Sequence, residues 1–212
     1  IIVELKRRQP DLPYFDANIT DGYPEEPPFT ITDLEEIYPF ASKVSKEDAA
    51  YKEEARQANN HSTAHDAQVI AFAMYAGNMK VAREVINAIP RKRLFTQIEP
   101  DGKQPHELRR TLAFGYSQFN LSHFIDIFMM ARKIGISIDN ATSEDGRSFY
   151  KAMDFLVPYV GKDVKAWPYQ QISEWKYKQQ EFCKDLYRTF LLNPERKDYL
   201  KLYKTHRIID WK

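Results

Sequence analysis

The stretch Gln57 to Asp66, QANNHSTAHD, gathers two asparagines, two histidines, a serine and a threonine at what reads as a helix boundary. His61 and His65 stand four apart, so on a helix they share a face, the spacing with which zinc proteases hold metal in HExxH. The triplet between them is Ser-Thr-Ala, and the missing Glu removes the general base a metalloprotease needs. Two readings remain. The histidines form part of another metal site, completed by His106, His123 or a carboxylate; or they pack and cap, beside Asn and Ser residues suited to helix capping.

A second constellation runs from Pro100 to Leu121, PDGKQPHELRRTLAFGYSQFNL. Arg109 and Arg110 adjoin small, aromatic and amide residues, and Tyr116, Ser117 and Asn120 put polar tips on a helix that otherwise reads as buried. Buried polar groups need partners, and a pocket is one place to find them. The alternative is a solvated basic turn leading into a core helix. In an unbroken helix, at about 100° per residue, Arg109 shares the face of Tyr116 and Arg110 sits about 120° round; a helix start or bend between them removes the conflict. Lys103 and His106 read as solvated turn residues, and His123 as a satisfied histidine. Trp167, Tyr169, Trp175 and Tyr177 could stack on sugars, although aromatics at such spacing more often form core.

The elements that must position these groups are mostly helical. SKEDAAYKEEARQA starts at Ser45, a plausible N-cap. HDAQVIAFAMYAG is apolar on nearly every side and predicts a helix buried between others. Gly77-Asn78 ends it, and MKVAREVINAI follows as an amphipathic helix stopped by Pro90. Between Arg91 and Pro105 lie a possible short strand, LFTQIE, and a turn at PDG. HELRRTLAFGYSQFNLSHFIDIFMMARKIGI then supplies about thirty residues of helix, with a break expected near Ser117 to Leu121. DGRSFYKAMDFLVPYV leads into Pro158, Pro168 opens a long helix, and Pro194 begins the last. Helix, turn, helix recurs, so the class is all-α, built from stacked hairpins. Residues 1–44, carrying Pro10, Pro13, Pro24, Pro27, Pro28 and Pro39 among aromatics, read as an extended arm packed on a domain of residues 45–212.

Thirty-one Lys and Arg balance thirty Asp and Glu, for a net charge of +1 in 212 residues. No global field points to nucleic acid or an anionic membrane. The lone Cys183 excludes an intrachain disulfide framework and a cysteine zinc site. No apolar run approaches the roughly 20 residues that span a bilayer, so no membrane span is expected. The chain opens on Ile1 without a signal-like segment, consistent with a secretory signal removed or never included.

Three motifs in order, NNHS at Asn59 to Ser62, DG..P.EL.RT....YS.FNL at Asp101 to Leu121, and AMDFLVPYV with WPYQQI at Ala152 to Ile172, resemble the alginate lyase family of polysaccharide lyases. The resemblance covers roughly Ala50 to Ile172 and leaves the proline-rich arm outside. It implies an incomplete (α/α) toroid of stacked helical hairpins, and at this length it leaves open whether N-terminal hairpins are lacking. It also implies a periplasmic or secreted enzyme that cleaves an anionic polysaccharide, alginate or glucuronan, by β-elimination. No cofactor and no metal are implied. The family's Asn-His pair falls on Asn60 and His61, its tyrosine on Tyr116, and its arginine, through the ELxRT pattern, on Arg110, with Arg109 left open by the helical geometry.

The implied chemistry fits these residue types. Removing the C5 proton of a uronate puts negative charge on the adjacent carboxylate, which must be neutralised first. Asn60, His61 and Arg110 can supply donors or charge, and Tyr116 is the candidate acid for the leaving oxygen. A syn route lets the tyrosine serve as base as well; an anti route assigns that role to His61. Ionising a free phenol at pH 7 costs about 4 kcal/mol, a cost that a nearby arginine reduces. Two other functions stay open: a non-catalytic carbohydrate-binding helical module, and a metal-dependent hydrolase built on His61 and His65.

Overall fold

The computed structural model describes residues 49–207. The expected arm over residues 1–44 and the Ser45 cap lie outside the described residues. Packing divides the chain into two units at Glu53 and Glu54, and the unit from Glu54 onward carries the helices around which the site is built.

In chain order the helices are α1 (Ala49–Arg56), α2 (Asn60–Tyr75), α3 (Met79–Ile89), α4 (Phe95–Gln97), α5 (Pro105–Leu108), α6 (Ala113–Lys133), α7 (Phe149–Leu156), α8 (Trp175–Leu192) and α9 (Lys197–His206). Among the described residues there is no strand, only the isolated bridges Leu112 to Gln171 and Thr142 to Ser148. The all-α expectation holds. Helix α6 is the hub: α2 lies along one side, α8 along another, and α3 and α9 pack on those in turn.

Local chemistry accounts for the first hairpin. Asn59 is extended and its side-chain oxygen accepts the amide of His61, capping α2. Gly77 takes a left-handed φ of 72°, and the Asn78 side chain accepts the amide of Val81 to start α3. The expectation of a fully buried α2 fails at its far end, where Phe72 and Tyr75 are half exposed.

Four further expectations are corrected. Pro90 does not stop the chain: it enters a π-helical turn, Pro90–Leu94, which runs into α4. Proline removes one amide from the ladder, and a wider turn absorbs that loss without breaking the rod. The strand expected at LFTQIE is therefore helical through Gln97, with Ile98 extended beyond it. Helix α6 has no break near Ser117; it starts late, at Ala113, after a turn at Arg109 to Thr111. Pro168 does not open α8, which begins only at Trp175 because Gln170 and Gln171 are engaged at the head of α6.

That engagement holds α6 in place. The Gln170 carbonyl accepts the amide of Ala113, Ile172 donates its amide to the Thr111 carbonyl, and the Gln171 side-chain oxygen accepts the amides of Phe114 and Gly115 at 3.0 and 3.3 Å. The WPYQQI segment thus satisfies the N-terminal amides of the helix that carries Tyr116. Below it, Trp167 is buried and meets Phe114 and Tyr159 edge-on, at 5.4 and 4.8 Å between centroids, so this tryptophan belongs to the core. The core continues through Ile70, Ile86, Leu121, Phe124, Phe128, Phe149, Phe182 and Leu186.

Candidate active site

The late start of α6 decides which arginine meets the tyrosine. Because Arg110 precedes the helix in a turn, its side chain folds over α6, and its guanidinium carbon lies 3.9 Å from the centre of the Tyr116 ring. Arg109 is exposed. Helical projection favours Arg109, and that projection does not apply outside the helix.

Asn60, the first residue of α2, is buried. Its backbone amide donates to Glu107 Oε1 and its side-chain amide to Glu107 Oε2, each at 2.7 Å. Glu107 is itself 1% exposed. A carboxylate at a helix N-terminus is favoured by the helix dipole. Burial nevertheless raises its pKa, with the Asn60 donors and the positive charge of Arg110 working against that rise. Glu107 therefore holds the asparagine within the field of Arg110, and the arginine covers the tyrosine.

His61 takes a different direction. Its ring is about half exposed, and Nδ1 stands 2.8 Å from Glu54 Oε2. If that nitrogen carries the proton, Nε2 is left as the acceptor, the form a base requires. His65 turns to Asp66, Nδ1 to Oδ1 at 3.1 Å, and Asp66 also receives Arg93 Nε at 2.7 Å. Burial opposes the ionisation of Asp66, but donors from His65 and Arg93 outweigh it and hold the carboxyl below its ordinary range. The two histidines thus serve separate carboxylates. Among the described residues no three His, Cys, Asp or Glu side chains converge to hold a metal.

Several other polar groups in and around the two motifs are spent on the interior. Gln97 Oε1 accepts from Thr63 and from Asn120, at 2.9 Å each, while its Nε2 donates to the Asn59 carbonyl and to Ser62. Asn120 donates also to Gln104, which in turn donates to the Ser117 carbonyl. Asn120 is therefore a structural amide, not a cleft-lining one. His123 lies edge-on to Phe119 and 3.8 Å from Asp126, and Lys103 is paired to Asp101. Sequence reasoning misses Glu107, Gln97, Gln104 and Gln171 as positioning residues, although Glu107 and Gln171 stand inside the family motifs.

Tyr116 also faces a cavity of about 260 Å³, lined with it by Leu112, Gly115, Phe119, Glu174 and Lys178. A phenol under a guanidinium and open to a cavity, with a buried carboxylate holding an amide at the start of α2, is a layout suited to charge neutralisation and proton transfer on a helical scaffold.

The alginate lyase family model matches residues 25–167, and the chain belongs to that family. The match begins earlier than the motifs suggest, inside the proline-rich segment. An alginate lyase from Bacteroides ovatus of known crystal structure is similar at 44% identity and a TM-score of 0.81, over 84% of this chain and 47% of that one. The neighbour supports the incomplete (α/α) toroid, and this chain spans about half its length. Shorter stretches are similar to arginine–tRNA ligases: 60% identity over 58 residues with that of Alkaliphilus oremlandii, and 58% over 55 residues with that of Agathobacter rectalis. They cover 27% and 26% of this chain but only 10% and 9% of those ligases.

Proposed function

We propose that the chain is a polysaccharide lyase that cleaves an anionic uronate polymer, alginate or glucuronan, by β-elimination outside the cytoplasm, leaving an unsaturated uronate end. The observation that carries this reading is Arg110 lying on the Tyr116 ring, 3.9 Å from its centre. Family membership and the similar alginate lyase structure support it.

In this reading Asn60 and Arg110 stand against the substrate carboxylate. Glu107 occupies one N–H of the Asn60 amide, fixing the plane of the group and leaving the second N–H for substrate. The C5 proton leaves to a base, the C4–O bond breaks, and the C4–C5 double bond forms as the enolate charge collapses. Tyr116 donates a proton to the departing oxygen. Positive charge on its ring face offsets the negative charge the phenol carries after that transfer. On a syn route Tyr116 is also the base; on an anti route His61, with Nδ1 held by Glu54, takes the proton through Nε2.

The test is ultraviolet absorbance of the unsaturated product across a panel of polyuronates, with Tyr116→Phe and His61→Ala as controls. Product from wild type that falls by about 10²-fold or more in Tyr116→Phe supports the lyase. Uronate binding without any product would establish the binding-module reading instead.

A further inference from the structure

We propose that the cavity beside Tyr116 is a subsite for a second uronate unit of the polymer, with the Lys178 ammonium as its carboxylate-binding group. This rests on the lyase reading above. Each unit of a polyuronate carries its own carboxylate, and Asn60 and Arg110 serve only the unit that loses its proton. A neighbouring unit held against Tyr116 brings a second negative charge, which the cavity must meet with a cation.

Lys178 is built into that position. It lies in the first turn of α8, where its amide donates to the Glu174 carbonyl at 2.9 Å, and its side chain is only 20% exposed. The stem crosses α6 at Gly115: a Cβ there would stand 3.1 Å from Lys178 Cγ and 3.2 Å from Cε. The missing side chain lets the lysine lie flat and deliver its amine to the cavity.

The amine is held loosely. Its counter-ion, Glu174 Oε2, is 3.9 Å away on a half-exposed side chain, whereas Lys103 and Lys184 hold their carboxylates at 2.6 Å. The Tyr177 ring centre lies 5.1 Å from the amine. An incoming carboxylate can displace such a partner, and the three N–H donors of an ammonium adapt to its position. Phe119, 42% exposed on the cavity wall, offers an apolar face for a pyranose ring. At about 260 Å³ the cavity falls just below the usual range of ligand pockets, which begins near 300 Å³, and so suits one sugar unit.

The experiment is calorimetric binding of saturated uronate oligomers to the full chain carrying Tyr116→Phe, with and without Lys178→Met. Affinity should fall about tenfold with Lys178→Met and largely recover in Lys178→Arg, while Glu174→Gln should tighten binding about two- to threefold. Oligomers methyl-esterified at their carboxyls should not distinguish Lys178→Met from its parent. In the active background Lys178→Met should raise KM and leave kcat within about threefold. Unchanged affinity in Lys178→Met, or an equal loss for the esterified oligomers, overturns the subsite. Should Lys178→Met fail to fold, unchanged or weakened binding in Glu174→Gln overturns it. Absence of unsaturated product from wild type sinks the lyase reading instead, a separate outcome.

Discussion

Glu107 grips Asn60 with both oxygens, taking the backbone amide on one and the side-chain amide on the other at 2.7 Å each. The grip joins the start of α2 to α5, so the asparagine cannot rotate without leaving a buried donor unpaired. Glu107→Ala should lower stability by about 2 kcal/mol or more, since stranding one buried polar group costs about 1–3 kcal/mol. It should also reduce lyase turnover. Glu107→Gln, which keeps one acceptor, should recover part of both losses in chemical denaturation and product assays.

Arg110 and Arg109 make a paired test. Lysine keeps the charge at Arg110 but not the plane that lies on the Tyr116 ring. Arg110→Lys should cost at least about tenfold in kcat/KM, equivalent to about 1.4 kcal/mol. Arg109→Lys, at an exposed position, should stay within about twofold of wild type on the same scale. Equal losses at the two positions would contradict the pairing.

Gln97 bridges α2, α4 and α6 through four hydrogen bonds. Gln97→Leu removes both halves of its amide at once and leaves Thr63 and Asn120 with a donor each to place. A loss of about 2–4 kcal/mol is expected. In thermal unfolding, at roughly 2–4 °C per kcal/mol for a domain of this size, that is a drop of roughly 4–16 °C.

Asp185 should give stability a pH slope. Burial pushes its pKa up to about 6, against the Gln118 and Arg188 donors that pull it down. A carboxyl whose folded pKa exceeds its unfolded value stabilises the fold most below the unfolded value, near 4, and that contribution is lost as pH rises through about 6. Denaturation between pH 4 and 7 should therefore show about 3 kcal/mol of falling stability at roughly 1.4 kcal/mol per unit, and Asp185→Asn should flatten it. An unchanged slope in the variant would assign it to other groups.

The helices are legible because apolar spacing, Asn caps and the Gly77 turn all point the same way along the chain. What the pattern hides comes from contacts distant in sequence. Pro90 reads as a stop and Pro168 as a start, yet the first is absorbed by a π-helical turn and the second sits in a segment held at the head of α6. Asn60, Arg110 and Tyr116 are candidates picked out by motif; the structure sets Asn60 on the Glu107 carboxylate and Arg110 over the Tyr116 ring. His61 points to Glu54, a partner no local pattern announces. Asn120 shows that a buried polar group need not line a cleft, since its side-chain amide donates to Gln97 and Gln104 inside. Choosing between the two arginines requires knowing where α6 begins, and element boundaries are the least secure part of any sequence reading.

The cap that Gln171 places on α6 ties two distant stretches of chain into one working part. Anyone grafting this tyrosine onto a smaller scaffold, or splicing it between relatives, would have to transplant the 167–172 strap along with the helix. A graft that carried only the motif containing Tyr116 would deliver the right side chains on a frayed support.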